Sequence, residues 1–343
     1  MKNIFCYTIL LFIILFSNFV SAQQSDWCGS DRNLQQLIAS SPQMAQKWRD
    51  FVAETHSSLS QSQRDANEIV YVPLVFHIVY DTDQVGNGEN ISDAQVQSQV
   101  DALNRYYNLL DPDIPNVPAA YQSLVADCKI QFCLAKFDIN GNPTSGIIRH
   151  SYPNIPTWDN ENDIENTLKP ATIWDPSSYL NIWSVRMGGQ LITDGVLAYS
   201  SFPGIGSAND DGVVVRYTNI VTTSSVPLSY RKGKTLTHEM GHWFGLIHIW
   251  GFDASCGDQG DFIDDTPDQA DANYGCPQFP HVSCNNGPNG DMFMNYMDYT
   301  NDNCSNMFTL GQAARMHQTL DGVRASIKSS ASGCYYNLDA EVL

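Results

Sequence analysis

The sequence predicts an α+β fold with a twisted mixed sheet and two helices, followed by a small irregular C-terminal part that ends in a helix. Residues 69–80 are a nearly continuous run of apolar, strand-forming side chains. Beyond Gly245 the chain is mostly Asp, Asn, Gly and Pro, which favours loops. A helical pattern returns only near Thr309. The sequence therefore predicts that the sheet and its helices come first along the chain and that a loop-rich part follows.

The first half alternates strands with one helix. Pro73 within the first strand indicates an edge or a bulge, because proline lacks a backbone donor. Ser92 and Gln95 predict a capping box that opens a helix backing the sheet. The buried face of that helix is predicted to be Val96, Val100, Leu103 and Tyr107. Further strands are predicted near residues 130–137, 180–185, 196–200 and 213–216.

Two further helices complete the prediction. One begins near Thr235 and carries a histidine motif, and the other is capped by Thr309 and Gln312. The expected buried face of the last helix is Met316, Leu320, Val323 and Ile327.

The N-terminus indicates export. Residues 1–22 read as a secretory signal peptide, with Lys2, an apolar run over 9–16 and a small-residue cleavage site at Ala22. The apolar run is too short to span a bilayer. We therefore expect a secreted or periplasmic protein without a membrane span, in which disulfides can form.

The formal net charge of -19 limits the classes of partner that we expect for this protein. Phosphate backbones would be repelled, so nucleic acid is not an expected partner, and an anionic membrane surface is disfavoured. Solubility alone would account for the charge. Bound calcium or basic substrates would account for it too, and the charge does not choose between them.

Residues 238–248 read HEMGHWFGLIH and are the most informative segment. His238 and His242 lie four apart, so both imidazoles project from one helix face. Gly245 permits a sharp turn that brings His248 back as a third ligand. Three imidazoles leave the fourth position of a tetrahedral Zn²⁺ open, which is typical of catalytic zinc sites.

Glu239 lies beside the first histidine and is expected to act as a general base. Downstream, residues 295–299 read NYMDY. Met297 would form a soft apolar floor under the imidazoles. Tyr299 could offer its phenol to a developing oxyanion.

HEMGHWFGLIH together with NYMDY resembles the metzincin clan of zinc endopeptidases, and more closely its pappalysin family, the ulilysin-like proteases. Trp243 and Phe244 within GHWFGL support this resemblance, as does GDFIDDTP at 260–267. The resemblance covers about residues 68–328. It implies a metzincin-type catalytic domain over 64–328, with upper (64–246) and lower (247–328) subdomains, and a tail over 329–343.

The resemblance also implies roles for single residues. His238, His242 and His248 become zinc ligands, Glu239 the base, Met297 the Met-turn and Tyr299 a mobile tyrosine of the cleft. It further implies the disulfides Cys256–Cys284 and Cys276–Cys304, and structural calcium. The calcium candidates are Asp258, Asp261, Asp264, Asp265 and Thr266, although a solvated acidic loop would explain the same residues.

Ulilysin-like enzymes prefer Arg, and secondarily Lys, just after the cleaved bond. A carboxylate at the base of the pocket explains this preference through a bidentate pair with guanidinium. Asp302 is the expected pocket residue. In a neighbouring register Asn303 would take its place and the basic preference would weaken.

Residues 23–63 resemble a pro-segment with a cysteine switch. In pappalysin proforms a Cys-Gly motif, here Cys28 followed by Gly29, places its thiolate on the zinc. A disulfide between Cys28 and Cys128, Cys133 or Cys334 is the competing interpretation, and the cysteine count does not decide. Autolysis at the Gln63–Arg64 bond would release the mature enzyme.

The sequence therefore predicts a monomeric, secreted zinc endopeptidase that is made as a latent precursor and acts on proteins or peptides. Extended substrate would add as an antiparallel strand along residues 196–200. Two alternatives stay open at this point. One is a binding or adhesion module with a silent metal site, and the other is a zinc hydrolase of non-peptide bonds.

Overall fold

The computed structural model describes residues 27–58, 69–221, 228–252, 256, 260–330 and 334. The predicted signal peptide, the Gln63–Arg64 bond, Asp258 and most of the tail lie outside these residues. Within them, no helix is long and apolar enough to cross a bilayer.

Eight helices are labelled here in chain order. They are α1 (Ser30–Ser40), α2 (Pro42–Ser58), α3 (Asp93–Tyr107), α4 (Glu161–Asp163), α5 (Lys169–Thr172), α6 (Gly189–Thr193), α7 (Lys234–Trp243) and α8 (Leu310–Asp321). The strands are β1 (Val70–Tyr80), β2 (Ile130–Leu134), β3 (Ile147–Ser151), β4 (Leu180–Val185), β5 (Ala198–Ser200) and β6 (Val213–Arg216).

The strands form one sheet in the order β2-β1-β4-β6-β5, with β3 also paired to β1. All pairs are parallel except β5 with β6. The long β1 pairs with β2 along its first half and with β3 along its second half, while β4 lies on its other side. The predicted mixed sheet is confirmed, and the antiparallel β5 forms one of its edges.

The edge or bulge expected from Pro73 is wrong, because β1 lies in the middle of the sheet. The N–H groups of Val70 and Phe76 bond toward the β2 and β3 side, so Pro73 faces the β4 side. Pairing with β4 begins only at Leu74. Pro73 therefore lies just before the first residue of β1 that pairs with β4, where its missing backbone N–H is not needed.

Helix α3 backs the sheet and positions α7. Its predicted buried face is confirmed. The Ser92 hydroxyl accepts from the N–H of Gln95, while the Gln95 side chain donates to the Ile220 carbonyl, so the serine half of the predicted capping box is present. Tyr107 donates its hydroxyl to the Thr237 carbonyl at 3.0 Å. This bond ties the backing helix to the helix that bears the histidines.

Helix α8 begins with the predicted capping box of Thr309 and Gln312. Met316, Leu320 and Ile327 are buried as expected, but Val323 is 53% exposed. The prediction fails at Val323 because the helix ends at Asp321 and Gly322 leaves helical geometry. The periodicity therefore does not continue through this position.

The turn after α8 sends Arg324 inward instead. Its guanidinium pairs with Asp211 at 2.6 Å and lies 3.6 Å from the centre of the Trp243 ring. Since Trp243 ends α7, this stack fixes the C-terminal end of the histidine-bearing helix.

The polar N-terminal segment forms α1 and α2, two helices that the sequence pattern did not predict. Leu34 of α1 is fully buried against Phe202 and Ile247. Trp48 of α2 packs edge-on against Phe202 and Phe252. The segment therefore docks on the rest of the molecule through a small apolar cluster.

The two disulfides implied by the resemblance are present, and a third joins Cys133 to Cys334. Cys28 and Cys128 remain thiols, and both are buried. The competing interpretation, in which Cys28 forms a disulfide, is therefore wrong in this structure.

Candidate active site

The three motif imidazoles converge on one point. Helix α7 presents His238 and His242 from one face, and the chain then turns at Gly245, whose φ is +90°. His248 returns so that the three Nε2 atoms lie 3.1, 3.1 and 3.2 Å apart. All three side chains are buried. The geometry follows from the helical spacing and from the left-handed turn that glycine permits.

Each imidazole is oriented through its other nitrogen. His238 Nδ1 lies 2.7 Å from the Tyr296 carbonyl, and His242 Nδ1 lies 2.8 Å from the Leu246 carbonyl. His248 Nδ1 lies 2.6 Å from the Asp31 carboxylate. Because carbonyl and carboxylate oxygens only accept, Nδ1 carries the proton in each ring. The three Nε2 lone pairs therefore face one another.

This arrangement fits a tetrahedral metal ion. Nitrogen ligands about 2.0–2.1 Å from a zinc ion lie roughly 3.3 Å from one another, close to the separations found here. Burial lowers the pKa of His238 well below its ordinary range and, with His248 nearby, lowers that of His242 to about 3. Both rings are thus neutral, which is the form that binds metal.

A fourth donor lies at the same point. The Cys28 sulfur is 3.4 Å from His242 Nε2, and these four residues form a group whose ligand atoms are all mutually close. Thiolate and imidazole together are a donor set that suits zinc.

Glu239 is fully buried and accepts a hydrogen bond from the Ser30 hydroxyl at its Oε2, at 2.7 Å. Ser30 in turn accepts from the N–H of Ser200 on β5. The carboxylate predicted to be the base therefore faces the cleft and is held there by the N-terminal segment.

Met297 lies directly beneath the histidine helix, as the sequence predicts. The turn that contains it is closed by the bond from the Asp298 N–H to the Asn295 carbonyl, at 3.1 Å. A Cβ at Gly241 would overlap the Met297 sulfur. The close approach explains why glycine stands between the two helix-borne histidines.

Replacing Gly241 with Ala is expected to lower the free energy of unfolding by about 1–3 kcal/mol, because the added methyl would overlap the sulfur of the fully buried Met297 and would force that side chain to move. Gly287 is the matched control, since a Cβ there meets no atom within 4 Å. Denaturant unfolding of both variants makes the comparison. Equal stabilities for the two would contradict the packing argument.

Tyr299 lies at the site, with its ring centre 4.9 Å from that of His248. Its hydroxyl donates to the Cys28 carbonyl at 3.4 Å. The Trp27 ring contacts the rings of both Tyr299 and His238 at a tilt, with its centre 4.7 Å from each. The N-terminal segment therefore covers the tyrosine as well as the imidazoles.

Asp302 lines a small cavity beside His238, together with Trp27 and Lys234. The side chain is buried, and it accepts from the N–H of Lys232 at 2.6 Å. Asn303 is exposed. Burial raises the pKa of Asp302 to about 6. The structure thus places Asp302, and not Asn303, in the pocket next to the imidazoles.

The calcium candidates do not form a common cluster among the described residues. Asp261 is buried and accepts from Thr266, whereas Asp264 is exposed. Asp265 accepts from the Thr309 hydroxyl and the N–H of Gly311, and so caps α8. Calcium at this loop stays a prediction.

The outer edge of β5 is occupied by the N-terminal segment. The N–H of Leu197 donates to the Trp27 carbonyl at 2.8 Å, and the N–H of Gly29 donates to the Ala198 carbonyl at 2.9 Å. Cys28 pairs with Ala198 in the parallel sense. The edge predicted to receive substrate therefore pairs with an extended segment of the chain's own N-terminal part.

Sequence reasoning missed several residues of the site. Trp27, Ser30 and Asp31 flank the Cys-Gly pair and contact Tyr299, Glu239 and His248. Their proximity to the Cys-Gly motif was the only signal in the sequence.

Comparison with known proteins shows the family to which this chain belongs. Residues 163–321 match the family model described as pregnancy-associated plasma protein-A. The extracellular metalloprotease of Pyricularia oryzae is 31% identical over 301 residues, covering 87% of this chain and 89% of that protein. The chain belongs to the pappalysin family. A Neurospora crassa extracellular metalloprotease is 30% identical over 304 residues, again covering 87% and 89%.

Two solved structures from Tannerella forsythia extend the pappalysin match. A mutant of promirolysin is 36% identical, with a TM-score of 0.74, and covers 88% of this chain and 97% of that one. Mature mirolysin in complex with a cleaved peptide is 40% identical, with a TM-score of 0.69, and covers 76% and 96%. The predicted metzincin-type fold is confirmed, and the chain is a metalloprotease.

Proposed function

We propose that this protein is a secreted, zinc-dependent endopeptidase made as a latent precursor, and that it cleaves before Arg or Lys. The observation that carries the proposal is the convergence of three buried Nε2 atoms, within 3.2 Å of one another, beside a buried carboxylate. A pairing edge of the sheet runs alongside this point.

His238, His242 and His248 would hold the zinc through Nε2. A zinc ion held in this way supplies Lewis acidity, which favours deprotonation of water and polarises the scissile carbonyl. The backbone carbonyls that accept from Nδ1 of His238 and of His242 keep those rings in the required tautomer.

Glu239 would take up the water proton at its carboxylate and deliver it to the leaving amine. In the precursor this carboxylate accepts a hydrogen bond from the Ser30 hydroxyl, which makes it a weaker base until the segment leaves. Tyr299 would donate its hydroxyl to the oxyanion that develops on the carbonyl. Strand β5 would hold extended substrate by backbone hydrogen bonds.

The N-terminal segment would enforce latency. Cys28 would occupy the fourth ligand position and so exclude the attacking water, which its 3.4 Å distance from His242 Nε2 supports. The segment also pairs with β5 in the parallel sense, opposite to the direction proposed for substrate. Removal of the segment, with Gln63–Arg64 as the expected bond, would uncover the whole cleft.

The comparisons support a proform. The promirolysin structure covers 88% of this chain, whereas mature mirolysin covers 76%. The relatives named extracellular metalloproteases support secretion.

Asp302 would select a basic residue after the cleaved bond. Its carboxylate lines the cavity next to His238, where Trp27 covers it in the precursor. Burial raises the pKa of this carboxylate to about 6 while Trp27 covers the cavity. Removal of the segment exposes the carboxylate and lowers its pKa toward the ordinary range. The preference for Arg in the processed protein should therefore weaken only below about pH 6, where the carboxylate becomes neutral.

A cleavage profile of a proteome-derived peptide library tests the proposal. The processed protein is expected to cut before Arg and, less often, before Lys. Asp302→Asn is expected to reduce this preference by about 10–10²-fold, the scale of 1.4–3 kcal/mol for a charge-assisted hydrogen bond. Asn303→Ala is the matched control, because its side chain is exposed. Cleavage with no basic preference by the wild type would contradict the role of Asp302.

The same profile addresses the two alternatives. A binding module would hold zinc yet cleave no peptide, and a hydrolase of other bonds would leave the library intact. The buried Glu239 and the pairing edge of β5 favour the peptidase.

A further inference from the structure

The N-terminal segment makes a second ionic contact away from the histidines. The Arg32 guanidinium contacts Glu161 Oε1 through Nη2 at 2.6 Å and through Nε at 3.1 Å. Its Nη1 donates to Asp194 Oδ2 at 2.9 Å. Two carboxylates from separate elements, α4 and the end of α6, therefore hold one planar cation from the segment.

These carboxylates lie on the rim of the cleft. Glu161 Oε1 is 3.3 Å from the position that a Cβ would take on Gly29, and Tyr199 of β5 lies at 3.2 Å from the same point. Gly29 follows Cys28 directly. The Glu161 carboxylate thus lies beside the residue that follows Cys28, on the side of the imidazole site away from Trp27.

The direction in which the segment crosses the cleft shows on which side of the cleaved bond this contact lies. Trp27 covers the Asp302 cavity, Cys28 lies at the imidazoles and Arg32 lies beyond them. A substrate that runs antiparallel to β5 has its residues after the cleaved bond near Asp302. Its residues before the cleaved bond then run past Glu161 and Asp194.

The contact lies in the seam between helix α1 of the segment and the rest of the molecule. A cavity of about 90 Å³ in this seam is lined by Arg32 and Gln36 from the segment and by Glu161, Leu191 and Asp194 from the rest. The walls that stay when the segment leaves are therefore Glu161, Asp194 and their neighbours on α4 and α6. Burial raises the pKa of Glu161, and the Arg32 guanidinium opposes that rise. A partly buried carboxylate of this kind is stabilised by a bound cation.

We propose that Glu161 and Asp194 form an upstream acidic recess that binds a basic side chain of the substrate on the N-terminal side of the cleaved bond. In the precursor Arg32 occupies this recess, and removal of the segment opens it. The inference rests on the proposed peptidase function and goes beyond it, because it adds a second selection for positive charge on the opposite side of the cleaved bond from Asp302.

Peptides with Arg fixed after the cleaved bond provide the test. Arg, Ala or Glu is placed in turn at each position before that bond, and kcat/KM is measured with the processed protein. At one upstream position we expect Arg to exceed Ala by about tenfold, the scale of one charge-assisted hydrogen bond. The expected order at that position is Arg, then Ala, then Glu.

Variants that change the charge of Glu161 and Asp194 show whether these two residues cause the preference for Arg. In Glu161→Gln/Asp194→Asn the Arg-to-Ala ratio is expected to fall to about one. In Glu161→Lys/Asp194→Lys the order is expected to reverse, with Glu cleaved faster than Arg. Asp163→Asn is the matched control, since Asp163 is an exposed acid of the same helix, and it should keep the wild-type ratio. Each ratio uses one protein preparation, so a change in folded fraction cancels.

Two outcomes would overturn the proposal that this recess binds a basic side chain. One is equal kcat/KM for Arg and Ala at every upstream position in the wild type. The other is an Arg preference that persists in both charge variants. Failure to cleave even the Ala peptide has a different meaning, because it overturns the peptidase function itself and the recess with it.

Discussion

Replacing Glu239 with Ala in the processed protein is expected to lower kcat/KM for peptide hydrolysis by about 10²–10⁴-fold. The proposed mechanism has no covalent intermediate, so every turnover requires a group to take the proton from water and pass it to the amine. Glu239 is the buried carboxylate beside the imidazoles. Its own side chain lies outside the proposed ligand set, so bound zinc should stay near the wild-type level.

Glu89→Gln is the control for this variant. Glu89 is also buried and paired, in its case with Arg186, but it lies outside the cleft. Measuring kcat/KM and zinc content on both proteins separates loss of the base from a general effect of removing a buried carboxylate. Near wild-type hydrolysis by Glu239→Ala would refute the assigned role.

Replacing Cys28 with Ala is expected to raise the peptidase activity of the unprocessed precursor by about 10²-fold, if the thiolate contributes about 3 kcal/mol to the closed state. The sulfur occupies the position proposed for the attacking water. Ser30 and Asp31 still contact Glu239 and His248 in this variant, so the precursor should remain less active than the processed form.

Cys128→Ala is the matched control, because Cys128 is also a buried thiol but belongs to the core beneath α3. Activity is followed with a small fluorogenic peptide, and gels confirm that the chain is still uncut. If the Cys28→Ala precursor is as inactive toward the peptide as the wild-type precursor, the thiol does not maintain latency.

The local motifs could be predicted from sequence because short-range geometry determines them. The spacing of His238 and His242 places both on one face of any helix, and Gly245 permits the turn to His248. For the histidines, the residue types and the spacing restrict the backbone to few conformations. Met297 lies about fifty residues downstream, and its role was implied by the family resemblance of the NYMDY pentapeptide paired with the histidine motif.

The misses have a different cause. Pro73 indicated an edge because proline removes one donor, but whether that donor is needed depends on where β4 begins. Val323 continued an apolar periodicity, yet Gly322 had already ended the helix. Both outcomes depend on neighbours that are distant in sequence or on a helix end that periodicity does not detect.

The contacts of the N-terminal segment could not be predicted for the same reason. Asp31 lies 217 residues from His248, and Ser30 lies 209 residues from Glu239. Arg32 pairs with Glu161 across 129 residues. A polar, Gln- and Ser-rich composition gives no information about such partners, so the helices and their docking emerge only from the folded chain.

The metal content of the purified, processed protein tests the central claim most directly. Elemental analysis is expected to find about one zinc per chain, with removal by phenanthroline and loss of peptide hydrolysis occurring together. Processed protein that cleaves peptides while containing no transition metal would contradict the account.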